Sequence, residues 1–122
     1  MDSKNETGKE GENVACSYLA INGYRILQTN WRFHHYELDI VATDGKELVV
    51  VEVKTRSADP LVSPALSINR DKIKRIVAAA EAYLIRYKVD MPIRFDVIFL
   101  TKNKDAYIMD EHIEDAFFAP VR

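Results

Sequence analysis

The sequence predicts an α/β protein in which helices flank a central mixed β-sheet. Two helical patterns alternate with groups of strands: a helix near residues 8–22, strands, a second helix over 73–87, and strands again. This order is typical of layered α/β or α+β domains. The chain has 122 residues, of which 48% are apolar, and this is enough for one compact domain. We therefore expect a single domain over 1–122, with its core at about 8–110.

Both helices are predicted from apolar residues that recur every three or four positions. Thr7-Gly8-Lys9-Glu10 matches a capping box at the start of the first helix, and Gly23 offers a C-terminal stop. Glu12 lies close to the apolar stripe of this helix, so its carboxylate can face inward. The second helix has an apolar face formed by Ile73, Ile76, Val77, Ala80, Leu84 and Tyr87. Each helix therefore has one side suited to packing on a sheet.

Strands are predicted where β-branched and aromatic residues cluster between turn residues. The candidate strands are 24–27, 38–42, 48–54, 95–100 and 106–109. Segment 48–54 is the most β-branched of these and is apolar on both sides except at Glu52 and Lys54, which places it at the centre of the sheet. Segment 57–64, with two prolines, is predicted to be a loop.

Two acids and a lysine are expected to meet on the strands that flank Asp44-Gly45. Side chains alternate along a strand, so Glu52 and Lys54 point to the same face. A two-residue turn sets Asp39 diagonal to Glu52, and a four-residue loop sets it directly opposite. A three-residue loop puts the two acids on opposite faces, because a one-residue slip inverts every side chain. The prediction of a shared site therefore depends on an even loop.

A buried acid such as Glu52 in a valine-rich strand needs a positive partner. One interpretation is an ion pair with Lys54. The other is a divalent metal held by Asp39, Glu52 and the backbone carbonyl of Val53, with the oxygen ligands that magnesium prefers. Phosphodiester hydrolysis needs a metal that polarises the phosphate and a nearby cation that orients water or offsets charge. Because Asp39, Glu52 and Lys54 supply this set together, we favour the metal.

The order Asp-x12-Glu-x-Lys resembles the core of the restriction-endonuclease-like (PD-D/E-x-K) superfamily. A glutamate on an N-terminal helix, here Glu12, is similar to one in the archaeal Holliday junction resolvases. Further segments resemble the YraN-like family of predicted bacterial endonucleases: Gly23-Tyr24, Asn30-Trp31-Arg32, Glu37-Leu38-Asp39-Ile40, Val51-Glu52-Val53-Lys54-Thr55-Arg56 and Arg94-Phe95-Asp96-Val97. The resemblance covers residues 8–100. Leu38 departs from it, since many members of the superfamily have proline before the aspartate.

This resemblance implies a restriction-endonuclease-like fold and a metal-dependent endonuclease that hydrolyses DNA, with branched DNA as the favoured substrate. The implied cofactor is Mg2+ or Mn2+. The residues expected to hold it are Glu12, Asp39, Glu52 and Val53. Lys54 completes the catalytic group, and Glu12 is expected to lean over the face that the other three share. The residues expected to contact DNA are Arg32, Arg56, Lys72 and Arg75. Resolvase-like cleavage needs two sites, which favours a homodimer.

Positive charge is concentrated next to the suspected site. The formal net charge is −2, but residues 54–75 contain six bases and two acids, a local balance of +4. Such a stretch favours nucleic acid as the partner, although similar charges commonly solvate a loop and a helix start. The alternative function is a non-catalytic nucleic-acid-binding or protein-interaction module that keeps a nuclease-like site.

The compartment is predicted from three features of the chain. Cys16 is the only cysteine, so there is no intrachain disulfide and a reducing compartment is compatible. Residues 1–12 are polar and charged, unlike a secretory signal. No apolar run approaches the roughly 20 residues of a membrane span. We expect a cytoplasmic protein with no membrane partner.

Overall fold

Five strands form one mixed sheet with a helix packed on each face. The computed structural model describes residues 3–57 and 69–117. The elements in chain order are α1 (Ser3–Ile21), β1 (Arg25–Phe33), β2 (Tyr36–Thr43), β3 (Leu48–Ser57), α2 (Arg70–Tyr87), β4 (Ile93–Asn103) and β5 (Ala106–Phe117). The strands lie side by side in that order, and only β3 and β4 are parallel. The predicted α/β class and the central place of β3 are confirmed.

Apolar side chains pack in two clusters, one on each face of the sheet. Leu48 and Val50 of β3 belong to the cluster under α2. Val49 and Val51 belong to the cluster under α1. The helix residues of the two clusters are Ile76, Ala79, Ala80 and Tyr83 from α2, and Ala15 and Leu19 from α1. Because side chains alternate along a strand, Glu52 continues the face of Leu48 and Val50 and lies on the side of α2.

The helix ends follow local capping signals. Gly23 has a φ of 90°, and the chain leaves α1 with the Tyr24 N–H bonded to the Leu19 carbonyl at 2.9 Å, so the predicted stop is confirmed. Asn69 caps α2, because its side-chain oxygen accepts the Lys72 N–H at 2.8 Å. In the part of the chain that the structure describes, neither helix has the length and apolarity needed to cross a bilayer.

Several elements are longer than predicted. α1 begins at Ser3 instead of residue 8, so the Thr7-Gly8-Lys9-Glu10 pattern lies inside the helix and does not cap its start. β1 and β5 extend to Phe33 and Phe117 through polar segments. Both are edge strands with exposed positions, so their polar residues dilute the apolar pattern that predicts strands. The predicted loop at 57–64 lies outside the described residues, apart from Ser57 at the end of β3.

The loop between β2 and β3 has four residues, 44–47. The register pairs Thr43 with Leu48 and Ile40 with Val51. The Asp44 carboxylate accepts the N–H groups of Lys46 and Glu47 at 2.8 Å each, which closes the loop. This is one of the two even alternatives, the one predicted to set Asp39 directly opposite Glu52, and the observed pairing ends one position before these residues, at Ile40 and Val51.

Asp96 is fully buried on the α1 face and is held by a network of polar partners. Arg94 donates to both of its carboxylate oxygens at 2.9 and 2.8 Å, His112 Nε2 lies 2.7 Å away, and the Asp115 N–H donates at 3.0 Å. Burial acts to raise the pKa of Asp96, but the hydrogen bonds from His112 and Arg94 outweigh it, so the pKa is lowered. Arg94 also pairs with two acids of the β2–β3 loop. The network thus joins β4, β5 and that loop.

Arg94→Met should lower the free energy of unfolding by about 3–5 kcal/mol, because it leaves the buried charge of Asp96 without its main counter-ion. Urea unfolding measures the loss. Arg32→Met is the matched control, since the Arg32 side chain is 76% exposed and forms a surface ion pair that should contribute at most about 1 kcal/mol. Equal losses in the two variants would contradict this account of the network.

Candidate metal centre

Asp39 lies where β2 and β3 stop pairing. The paired positions end at Ile40 and Val51, and the Asp39 carboxylate accepts the Val53 N–H at 2.9 Å in place of the next backbone hydrogen bond. Asp39 is therefore fixed beside the backbone of Val53, which sequence analysis assigned to the site. Burial raises the pKa of Asp39, against the opposing effect of the Val53 N–H.

Glu52 is 2% exposed, and Lys72 is the one base that forms an ion pair with it among the described residues. Its Oε1 lies 3.5 Å from Lys72 Nζ, whereas charge-assisted hydrogen bonds are usually about 2.7–2.9 Å. Its Oε2 is buried with no hydrogen-bond partner among the described residues. Burial and, after it, the charge of Asp39 raise the pKa of Glu52 to about 8, and the lysines Lys72 and Lys54 offset only part of this effect. Glu52 is thus a buried carboxylate with one oxygen that accepts no hydrogen bond from the described residues.

The ion pair of Glu52 is formed with Lys72, and the interpretation that named Lys54 as its partner is wrong. Residues two apart on a strand are separated by about 6.5 Å of backbone, and Lys54 forms no ion pair with Glu52 within the described ranges. Lys72 is placed near Glu52 because α2 packs on that face of the sheet and Asn69 holds the first turn of the helix. Lys54 still lies close enough to favour the charged forms of Asp39 and Glu52.

Three carboxylates form a second group around Asp39. One oxygen each of Glu12, Glu37 and Asp39 lies within 4.8 Å of the other two, and Glu52 is outside this group. Glu37 belongs to a segment that resembles the family but was not among the predicted site residues. Alternation along β2 would not have found it, because Leu38 and Ile40, also two positions apart, lie in apolar clusters on opposite faces of the sheet. Asp39 therefore lies between Glu52 on one side and the pair of Glu12 and Glu37 on the other.

Glu12 approaches Asp39 from α1, and so from the face opposite that of Glu52. This differs from the expectation that Glu12 leans over the face of Glu52, because α1 packs on the Val49 and Val51 side. The close approach of the helix is possible at Gly11, where a Cβ would come within 3.2 Å of Thr55 Oγ1. The acids of the centre therefore lie on both faces of the sheet, next to the end of the β2–β3 pairing.

Glu12 has its own hydrogen bond and a raised pKa. Asn30 Nδ2 donates to Glu12 Oε1 at 2.7 Å, and Asn30 has a φ of 51°, a left-handed conformation that asparagine tolerates. Burial raises the pKa of Glu12 to about 7. The Asn30 hydrogen bond acts to lower it, and the charges of Asp39 and Glu37 act to raise it. The protein groups near Glu12 therefore do not fully compensate the negative charge of its carboxylate, as is also the case for Glu52.

The bases predicted to contact DNA occupy different positions. Lys72 forms an ion pair with Glu52, and Arg75 is exposed on the same helix. Arg32 Nε lies 3.3 Å from Glu37 Oε2, so it stands beside the carboxylates around Asp39. Lys72 and Arg32 therefore lie beside acids of the centre, and the Arg32 side chain is the more exposed of the two.

Arg56 is directed toward β5 instead. Its guanidinium lies 4.0 Å from the centre of the Phe99 ring and within 3.6 and 3.8 Å of Asp110 and Glu111. These partners were not predicted from the sequence, because the last strand was predicted to end at residue 109. A phosphate that binds Arg56 has to compete with two acids, so Arg56 is the weakest of the predicted contacts.

The donor set suits a hard divalent cation. The candidate ligands are the carboxylate oxygens of Glu12, Glu37, Asp39 and Glu52, and magnesium prefers oxygen ligands of this kind. The unpaired Oε2 of Glu52 and the raised pKa of Glu52, Glu12 and Asp39 show that the nearby bases do not neutralise the acids. The residues present therefore fit the metal that the sequence implied.

Fold and site define an α/β protein with a carboxylate centre in the middle of its sheet. The model described as "Uncharacterised protein family UPF0102" matches residues 11–100, and the chain belongs to this family. The predicted resemblance is confirmed at this level. UPF0102 proteins similar to the chain come from Parabacteroides distasonis (52% identity over 122 residues, 100% of both chains), Bacteroides thetaiotaomicron (46% over 121 residues, 99% of both) and Thermodesulfovibrio yellowstonii (43% over 113 residues, 93% of this chain and 96% of the relative).

The metal-free protein should lose stability as the pH rises from about 5 to about 8. The pKa values of Glu52 and Glu12 rise from 4.5 to about 8 and about 7 on folding, so the folded chain holds more protons than the unfolded chain in this window. The free energy of unfolding then falls with increasing pH. Urea unfolding in the presence of a chelator, repeated across the window, measures the slope.

Glu52→Gln should flatten that slope, because glutamine does not titrate. Glu10→Gln is the control, since Glu10 is an exposed acid of α1. A Glu52→Gln protein that retains the wild-type slope would show that Glu52 is not the group responsible.

Proposed function

We propose that this protein is a metal-dependent endonuclease that hydrolyses phosphodiester bonds of DNA with Mg2+ or Mn2+. The observation that carries the proposal is Glu52, which is buried close to Asp39 with one carboxylate oxygen unpaired within the described structure. The groups that would hold the cation are Glu12, Glu37, Asp39, Glu52 and the backbone carbonyl of Val53. A divalent cation in such a site polarises the phosphate and promotes ionisation of a bound water.

The bases around the centre supply the remaining chemistry. Lys54 shares the face of Glu52, and its ammonium is available to orient water or to offset the negative charge that develops on the phosphate. Lys72, Arg75 and Arg32 offer accessible positive charge for phosphates that flank the scissile bond. Contacts of this kind position a nucleic acid without reading its sequence. We therefore expect recognition by structure more than by sequence.

Branched DNA is the favoured substrate, and its only support is the resemblance to the Holliday junction resolvases. Cleavage of a junction requires cuts in two strands, and a single chain contains one centre. A homodimer is the simplest assembly that supplies two centres. The proposal therefore includes a second copy of the chain and the cytoplasm as the place where DNA is available.

The second candidate is a non-catalytic nucleic-acid-binding or protein-interaction module. The observation in its favour is the ion pair between Lys72 and Glu52, which partly neutralises the acid without a metal. The formal net charge of −2 also gives weak attraction for DNA outside the basic stretch. This candidate predicts binding of a partner without strand cleavage.

Asp39→Asn should reduce Mn2+-dependent cleavage by about 100-fold or more, because it removes a charge at the reacting centre. Asparagine retains an oxygen that can accept the Val53 N–H, so the fold should persist. The measurement is cleavage of junction, flap, single-stranded and duplex DNA by the purified protein. Asp105→Asn is the control, since Asp105 is exposed in the β4–β5 turn.

Two results would count against the nuclease. Cleavage that survives in Asp39→Asn would locate the activity elsewhere. A wild-type protein that binds DNA in the panel but cuts none of it would favour the non-catalytic module.

A further inference from the structure

We infer that Lys72 is the internal counter-ion that a divalent cation displaces from Glu52, and that the displaced ammonium then contacts a DNA phosphate. One lysine would thereby couple the binding of metal to the binding of DNA. This inference rests on the proposed function, since it concerns the same centre, but it adds an order of events and a role for a residue that touches no other acid in the described structure.

The geometry of the pair is that of a replaceable contact. Lys72 Nζ lies 3.5 Å from Glu52 Oε1, and the second oxygen of Glu52 has no partner in the described part of the chain. The Glu52 side chain is 2% exposed, whereas the Lys72 side chain is 40% exposed. The acid is therefore fixed in the sheet, and the ammonium reaches it from the surface. Exchange of the ammonium for another cation requires movement of the lysine alone.

The position of Lys72 on α2 determines where the ammonium goes after release. Its backbone N–H is bound by Asn69 at 2.8 Å, so the first turn of the helix stays in place. The four methylenes of a lysine allow its head group to swing by several ångströms around that fixed point. Lys72 and the exposed Arg75 share the start of α2, which is also the positive end of the helix dipole. A released ammonium would therefore remain beside any phosphate that reaches the centre.

Electrostatics makes the metal and the Lys72 ammonium compete for Glu52, and it makes the binding of metal and the binding of DNA cooperative. A divalent cation and an ammonium at one carboxylate repel each other, so the metal binds Glu52 more tightly when Lys72 has left. A DNA phosphate offers Lys72 an alternative partner and thereby removes the competitor. By thermodynamic linkage, DNA then tightens metal binding by the same factor by which metal tightens DNA binding. In the absence of both ligands, Lys72 keeps Glu52 partly neutralised.

The test is calorimetric titration of Mg2+ into the wild type and into lysine variants without DNA. Lys72→Met should tighten Mg2+ binding by about tenfold, equivalent to about 1.4 kcal/mol, because no ammonium has to be displaced. Lys54→Met is the matched control: it removes the same charge near the same acids but breaks no ion pair, so its effect should stay below about threefold. Lys74→Met, on the exposed side of α2, should have no effect. Lys72→Gln repeats the test with a polar side chain.

A second titration measures the coupling with DNA. The affinity for a nuclease-resistant phosphorothioate duplex should rise when Mg2+ is added to the wild type, and this rise should be about tenfold smaller in Lys72→Met. Lys74→Met, an exposed lysine of the same helix, should retain the wild-type rise.

The outcomes separate this inference from the proposed function. Equal effects of Lys72→Met and Lys54→Met on Mg2+ affinity, or weaker binding in Lys72→Met, would overturn the displacement while metal binding itself stands. A wild-type protein that takes up no Mg2+ at all would overturn the inference and the nuclease together.

Discussion

The burial of Glu52 close to Asp39, at the end of the β2–β3 pairing, is the constraint on which the candidate centre depends. A carboxylate removed from water costs several kcal/mol unless countercharge or hydrogen-bond donors replace its hydration. Here one oxygen has a loose contact to Lys72 and the other has none among the described residues. Three features bring the acids of the centre together without enough positive charge to neutralise them. They are the placement of α2, the end of the β2–β3 pairing and the approach of α1.

Much of the fold follows from local patterns in the chain. The valines of β3 point to both faces of the sheet and can be buried only if a helix covers each face. The order of elements and the central strand were therefore predictable. The even loop was one of two open alternatives, and the hydrogen bonds of Asp44 to Lys46 and Glu47 selected it. The lengths of β1 and β5 were not predictable in the same way, because exposed edge strands tolerate polar residues that resemble loops.

The part of the candidate site that depends on the β2–β3 hairpin was predictable from the sequence. The part that depends on how the helices pack on the sheet was not. Alternation placed Glu52 and Lys54 together. The partner of Glu52 depended on how α2 docks on the sheet, which no local pattern encodes, and so Lys72 was assigned to phosphate alone. The approach of Glu12 from the opposite face depends on the fit of Gly11 against Thr55, which is likewise a tertiary feature.

The central claim is that these acids form a metal centre, and thermal unfolding with and without Mg2+ tests it most directly. At about 100 times its dissociation constant, Mg2+ should stabilise the wild type by about 2.7 kcal/mol through mass action. Glu52→Gln should lose this response and, without metal, should be at least as stable as the wild type, because it removes a poorly neutralised charge. A wild type that melts identically in both conditions, with Glu52→Gln less stable, would contradict the claim.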